Sequence, residues 1–399
     1  MFYHKTYWNI AKAALTKRVP FYVQFFITSR CHLKCRMCNI VKANSELAEY
    51  DFKYTEQIAR NFSKIGVGMV LLTGGEPFLR KDIADIVDIF VRHKLEVRLQ
   101  TAGLTPRLPV IRRCLELGAR DINVSLDTLD EGLNDYINGV KGSWRKAIET
   151  ISAIESDFPK VNAVRALGCV LSPLNIDHVE SVLEFAGKIG WCLSLVPVHV
   201  NHQDENYHFR AKNSEFSFKP ADLERVKALI QRLKKLKKAG YPLFDSGPYL
   251  DSIITFIQNG RPSWRKNDIC DAGKLYFAVR PDASYAPCCD NDYGEPLYVY
   301  DPDFPKIFYS KEFLEKNRAI ARQCSGCNFG SYPEVTLTMR HLPSFLERAW
   351  LQVRSSWIGR NREAIGGLAS LHATIDAIKL NHPVYSKNAF ESKGECLDS

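Results

Sequence analysis

Six short apolar, β-branched runs punctuate the first half of the chain: Tyr22 to Ile27, Met69 to Thr73, Glu96 to Thr101, Ile122 to Asp127, Ala166 to Leu171 and Cys192 to Val198. Their length and composition predict buried strands. Between them lie stretches with helical periodicity, such as Ile83, Ile86, Val87 and Phe90, or Val179, Val182, Leu183 and Phe185. Strand and helix alternate, which predicts an α/β fold of parallel strands with right-handed crossovers, as an open doubly wound sheet or a partial barrel.

The pattern changes after residue 200. Asn201 to Lys219 is polar and non-periodic and marks the exit from the first domain. Leu223, Val226, Leu229, Ile230, Leu233 and Leu236 then fall on one helical face, with Lys227, Lys234, Lys237 and Lys238 mostly elsewhere and Gly240 at the stop. That lysine face reads as a solvated one. Five cysteines follow between Cys270 and Cys327, among Gly, Pro and Asp turns with little helical pattern, as in a small metal-organised domain. No internal repeat or low-complexity segment stands out.

Composition fits a folded chain of 399 residues, 45% apolar and 25% charged. Lys and Arg number 54 against 45 Asp and Glu, and the net +9 favours anionic partners. No apolar stretch reaches membrane-spanning length, and the N-terminus lacks the uninterrupted apolar run of a secretory signal. The expected setting is the cytoplasm, where thiols stay reduced. Twelve cysteines there point to metal binding or catalysis.

Cys31, Cys35 and Cys38 follow the first strand within eight residues. Three thiolates so close can face one centre, zinc or an iron-sulfur cluster. A structural zinc site is closed by four ligands, so three leave either a fourth elsewhere or an open position for chemistry. His32 is a poor fourth, because a residue adjacent to one ligand rarely reaches the same metal.

The spacing Cys-x3-Cys-x2-Cys after a first strand resembles the radical S-adenosylmethionine superfamily, and Gly74-Gly75-Glu76-Pro77 at the end of the second strand matches that family's turn at all four residues. The resemblance covers roughly the first 200 residues and implies a partial (β/α)6 TIM-like barrel. It implies a [4Fe-4S] cluster on Cys31, Cys35 and Cys38, and S-adenosylmethionine whose amino group meets the Gly-Gly-Glu-Pro turn. Thr101 and Gly103, Ser125 and Asp127, Ser172 and Asn175, and His199 stand at or beyond later strand ends, where ligands bind in parallel β/α folds. Thr101, Ser125, Asp127 and Asn175 are taken as cofactor contacts, with helix capping the competing role. The chain departs from the family pattern at Met37, usually an aromatic, and at Ala102 within Thr101-Ala102-Gly103.

Cys270-Asp271-Ala272-Gly273, Pro281-Asp282, Pro287-Cys288 and Cys324-x2-Cys327 resemble the first half of a SPASM domain, the auxiliary-cluster module of many such enzymes. Ala283 stands where that module has glycine, and no further cysteine precedes Cys396. The resemblance implies a truncated, Twitch-like module holding a second [4Fe-4S] cluster on Cys270, Cys288, Cys324 and Cys327, with a four-cysteine zinc site as the alternative. Cys288 is preferred to Cys289 because it follows Pro287. Cys114, Cys169 and Cys192 read as packing residues.

The implied organisation is a basic amphipathic segment at 1–20, a radical S-adenosylmethionine barrel at 21–200, a linker with helices at 201–262, an auxiliary cluster domain at 263–332 and a C-terminal extension at 333–399. The implied chemistry is a 5′-deoxyadenosyl radical that abstracts hydrogen from an unactivated carbon, fed by a reductant such as flavodoxin or ferredoxin. Two basic, aromatic-rich segments suggest a lipid or lipid-linked substrate and peripheral contact with the inner membrane face. They are residues 1–20, with Phe2, Tyr3, Tyr7, Trp8 and Ile10 among four basic residues, and Phe345, Leu346, Ala349, Trp350, Val353 and Trp357 beside Arg348, Arg354 and Arg360. A peptide-modifying maturase is one alternative, and a non-catalytic zinc or iron-sulfur binding protein is another. Nucleic acid is not expected, since no strand platform interleaves aromatics with cations. Arg145, Asn201 and His202 are further pocket candidates.

Overall fold

The structure is a computed structural model that describes residues 4–119, 121–157, 163–200, 210–361 and 366–385, with backbone alone at 4, 266–268 and 352–361. The six expected strands form: β1 (Tyr22–Phe26), β2 (Met69–Thr73), β3 (Glu96–Thr101), β4 (Asp121–Ser125), β5 (Arg165–Leu171) and β6 (Cys192–Pro197). They pair in parallel in sequence order, and β1 takes a further parallel neighbour, β7 (Tyr276–Val279), which turns back into β8 (Tyr285–Ala286). The sheet runs β6-β5-β4-β3-β2-β1-β7-β8, a partial barrel extended at its first strand.

Alternate side chains divide the sheet between two faces. Val23, Phe25, Val70, Leu72, Val97, Leu99, Ile122, Val124, Leu167 and Leu193 pack outward against the crossover helices, among them Thr55–Ile65, Ile83–Arg92 and Val179–Lys188. Near Trp191 a buried polar network fastens this layer. The Glu155 carboxylate accepts from the indole at 2.7 Å and from Arg165 at 2.9 Å.

The inner face is covered unevenly. Over β1, β2 and β7, side chains such as Tyr22, Phe26, Met69 and Tyr276 meet the first helix (His4–Thr16) and the helix Ser331–Arg340 through Ala13, Tyr332 and Met339. Towards β3–β6 the covering leaves a cavity of about 370 Å³.

Three features depart from the sequence reading. The auxiliary stretch adds an unforeseen strand, β7, to the main sheet, because its four residues are hard to tell from a turn-rich surround. A helix at Lys311–Gln323 occupies a stretch judged non-helical, because it buries only Phe313 and Asn317 and so carries almost no apolar stripe. Ala283, at the position of the module's glycine, adopts the left-handed backbone with φ +65° in the β7–β8 turn. The long amphipathic helix is Pro220–Lys238, as its periodicity predicts.

Candidate active site

The loop after β1 carries Cys31, Cys35 and Cys38, and the loop after β2 carries Gly74, Gly75, Glu76 and Pro77. Parallel pairing of β1 and β2 brings them side by side, and backbone bonds continue the ladder past the strands. Gly75 N–H donates to Thr28 O at 3.0 Å, and Glu76 N–H donates to Arg30 O at 2.8 Å. The glycine pair makes this approach sterically feasible. A Cβ on Gly75 would collide with the Arg30 carbonyl and sit 2.9 Å from Cys31 Cβ, and one on Gly74 would collide with Thr28 O. Gly75→Ala is therefore expected to cost about 1–3 kcal/mol, as overpacking does. Denaturant unfolding checks this, and a variant as stable as the parent would refute the contact.

The far side of the cysteine loop is tied to the segment Tyr136–Gly139. Lys34 and Arg36 N–H groups donate to Asn138 O at 3.1 Å and Ile137 O at 2.9 Å, the Arg36 guanidinium lies over the Tyr136 ring, and Cys35 Sγ is 3.5 Å from Asn138 Oδ1. Burial pushes the Cys31 thiol up to about 11, with Glu76 and Cys38 adding to the rise. Cys35 is raised further by burial and then by its neighbours Cys38 and Cys31. Three thiols that disfavour one another's anions fit a cationic metal centre, which alone would hold all three as thiolates.

Glu76 is fully buried, and burial raises its carboxyl to about 7. Its oxygens accept from the Thr101 hydroxyl at 2.9 and 3.0 Å, from Ala102 N–H at 2.9 Å and from Phe78 N–H at 3.3 Å. Ala102, the departure from the family pattern, thus serves Glu76 through its backbone. Pro77 opens the short turn Pro77–Leu79 that presents Phe78.

The other strand-end candidates differ among themselves. Ser125 is partly exposed on the inner face of β4. Asp127 is buried, and its Oδ1 accepts from Val170 N–H at 2.7 Å. Asn175 is also buried: Nδ2 donates to the carbonyls of Asp127 and Val170, each at 2.9 Å, and Oδ1 accepts from Ser172 N–H at 2.8 Å. Asp127 and Asn175 fasten the ends of β4 and β5 to each other. His199 bridges to the second cysteine set, where Nε2 accepts from Asn328 N–H at 2.8 Å and the ring stacks on Phe329 at 3.8 Å.

Cys270, Cys288, Cys324 and Cys327 line one small, largely apolar cavity. Asn291 Nδ2 lies 3.4 Å from Cys288 Sγ and 3.8 Å from Cys324 Sγ, Gly326 N–H donates to Cys324 Sγ at 3.4 Å, and Cys270 Sγ is 3.1 Å from Tyr276 OH. Four thiols on one lining, with donors near sulfur, have the chemistry of a thiolate-held cluster. Cys289 is buried outside this lining, in the core with Tyr332. A salt bridge missed in the sequence supports the cavity: Arg210 Nε donates to Asp290 at 3.0 Å and its Nη2 to Gly326 O at 3.0 Å. Its partners lie 80 and 116 residues away, so no local pattern signals it.

Several named residues stand apart. His32 turns to Gly103 O at 3.2 Å. Arg145 pairs with Glu131 on the surface. Cys114, Cys169 and Cys192 are buried in the sheet and helix layers. Asn201, His202, Cys396, Phe2 and Tyr3 lie outside the described residues, as do the side chains of Val353, Arg354, Trp357 and Arg360. Between the two cysteine sets a second cavity, of about 560 Å³, is lined by Val198, Phe216, Phe256 and Ser325. Met37 packs into the apolar cluster beside it.

Fold and site define a class, the half-barrel proteins with a cysteine-held metal centre at the carboxyl ends of their strands. Residues 25–186 match the Radical SAM superfamily. A probable GTP 3′,8-cyclase of Pyrococcus abyssi is 29% identical over 205 residues, 51% of this chain and 65% of that protein. Molybdenum cofactor biosynthesis protein 1 of Mus musculus is 36% identical over 168 residues, 40% of this chain and 25% of that one. The crystal structure of Streptococcus suis SuiB bound to precursor peptide SuiA shares the fold, with a TM-score of 0.58 at 18% identity, covering 85% of this chain and 77% of that one. The cofactors of this superfamily are a [4Fe-4S] cluster and S-adenosylmethionine. Among the described residues, no helix is long and apolar enough to cross a membrane.

Proposed function

We propose that the chain is a radical S-adenosylmethionine enzyme whose substrate is a lipid or lipid-linked amphiphile. The observation that carries the chemistry is the seating of the three-cysteine loop on the Gly-Gly-Glu turn, with the Glu76 carboxylate oriented by three donors. In this reading Cys31, Cys35 and Cys38 hold the cluster and Glu76 accepts the methionine ammonium. A cation there returns a buried carboxyl to its charged form. Bound at this mouth, cluster and S-adenosylmethionine supply the 5′-deoxyadenosyl radical that takes hydrogen from an unactivated carbon. Cys270, Cys288, Cys324 and Cys327 hold a second cluster that exchanges an electron with the product radical, and a flavodoxin or ferredoxin serves as reductant. Asp127, Asn175 and Ser172 act as positioning residues, fixing the β4 and β5 ends that bound the mouth.

The lipid reading is supported by the cavity inside the barrel, whose walls are mostly apolar, among them Met69, Leu71, Val335 and Phe345. The test is 5′-deoxyadenosine formation by anaerobically reconstituted protein with dithionite. Glu76→Gln removes one side of a buried charge pair, at a cost of about 2–5 kcal/mol, so S-adenosylmethionine affinity should fall roughly 30-fold or more. An iron-loaded parent that forms no deoxyadenosine would overturn the reading. GTP, named in the relatives' descriptions, is the control substrate, and deoxyadenosine formation stimulated by GTP alone would displace the lipid.

A further inference from the structure

We infer that the barrel takes its substrate from a membrane surface through its base, head group first, so that the lipid tail leaves by the end opposite the cysteine loop. The inference rests on the radical chemistry proposed above, and three observations carry it.

The first is the uncharged polar layer deep in the 370 Å³ cavity, which has room for about a dozen waters at roughly 30 Å³ each. Its deep part lies in the middle layer of the barrel, where Gln100, Asn123 and Ser194 project from β3, β4 and β6. Gln100 directly precedes Thr101, which holds Glu76, so the polar end lies under the radical site. Asn123 Oδ1 is a buried acceptor without a hydrogen-bond partner. Gly168 on β5 makes its room, since a Cβ there would stand 2.8 Å from Asn123 Nδ2. Towards the base, Ile10, Met339, Phe345 and Ala349 supply apolar wall beside Arg98, Glu334, Thr338 and Arg348.

The second is charge compensation. Both guanidiniums on the cavity are paired, Arg98 with Asp121 at 2.9 Å and Arg348 with Glu334 at 3.3 Å, on either side of the Phe244 ring. Each guanidinium has a carboxylate beside it and the buried Asp245 carboxyl also lines the cavity, so nothing calls for a phosphate or carboxylate in the deep end. The head group it suits is uncharged and offers O–H or N–H donors to Asn123 Oδ1.

The third is the rim. Tyr7 and Ala349, both exposed, line the cavity, so it reaches the surface between the first helix and the helix Leu342–Asn361. Leu342, Leu346 and Trp350, at i, i+4 and i+8, form one exposed stripe at 67%, 57% and 64% exposure. Trp8 stands exposed beside Tyr7, with the Lys12 ammonium 5.3 Å over its ring. The first 20 positions hold no acidic residue; Lys12 and Arg18 remain for the surface, while the Lys5 ammonium donates to Ser63 and that of Lys17 to the Ala14 and Met339 carbonyls. Apolar side chains backed by cations, at the opening of an apolar cavity, suit the interface of an anionic bilayer.

The test uses reconstituted full-length protein and vesicles of phosphatidylcholine and phosphatidylglycerol, doped with a monoacylglycerol that carries a diazirine in its chain. Co-sedimentation is expected with these vesicles, and at least tenfold weaker with phosphatidylcholine alone or for Trp8→Ser/Leu346→Ser/Trp350→Ser. After photolysis, adducts are expected on Met339 or Phe345, and Ala349→Trp, which narrows the opening, should cut them about tenfold while vesicle binding persists. Protein that stays in the supernatant with anionic vesicles, or adducts confined to Leu342 and Leu346, would overturn the inference. Failure of the radical reading is scored separately, as absent deoxyadenosine.

Discussion

Replacing Cys31, Cys35 and Cys38 together by alanine is expected to abolish 5′-deoxyadenosine formation and to lower the iron content from about eight atoms per chain to about four, the content of one remaining [4Fe-4S] cluster. The loop has backbone anchors that do not depend on sulfur, among them Lys34 to Asn138 and Glu76 to Arg30. The variant should therefore fold and retain the second set of irons. Iron, sulfide and zinc analysis after anaerobic reconstitution reads both halves of the prediction. Stoichiometric zinc in the parent with no deoxyadenosine would replace the radical enzyme by a zinc-organised protein.

Arg210→Leu should act on the other set alone. Arg210 and Asp290 form a buried pair at 3.0 Å, with side chains 5% and 1% exposed, and Asp290 neighbours the thiols of Cys288 and Cys327. Removing the guanidinium takes the ion-pair partner from a buried carboxylate in a sulfur-rich cavity, which costs about 3–5 kcal/mol. It also withdraws the donor from Gly326 O, between Cys324 and Cys327. The expected result is about four irons lost per chain, with the signature of the first cluster intact. Arg210→Leu/Asp290→Leu should recover much of the stability, since deleting both charges removes the penalty. A single variant that keeps all its iron would show that the pair does not support this site.

Much of this architecture was legible in the residues. The six strands stand within about two positions of the expected runs, because β2 is buried on both faces and reads as a continuous apolar segment while β3 to β6 keep an alternating apolar outer face. The pairing of β1 with β2 that seats Cys31 beside Gly75 follows from the same order. What was not legible depends on sequence separation. β7 is a four-residue strand whose partner, β1, lies about 250 positions earlier, and nothing local marks its pairing. Asp127 and Asn175 could be placed at strand ends, yet only the fold reveals that they bind backbone groups of each other's segments. Ala283 is a departure from the module in identity but not in conformation, since φ +65° is the geometry a glycine there would supply.

The pairing of β1 with β7 also sets a distance. β1 leads into Cys31, while β7 and β8 lie between Cys270 and Cys288, so the two cysteine sets hang from neighbouring strands of one sheet, one beyond the carboxyl end of β1 and the other ahead of β7. Electron tunnelling weakens steeply with separation, and a ladder holds that separation against movement of the surface loops. Insertions outside the strands would leave the spacing untouched. One residue added inside β7 would exchange Phe277 and Val279, which face the outer layer, with Tyr276 and Ala278, which face inward, and shift the Cys270 side of the module by a rung. For the electron exchange proposed between the two sulfur sites, those four residues act as a ruler.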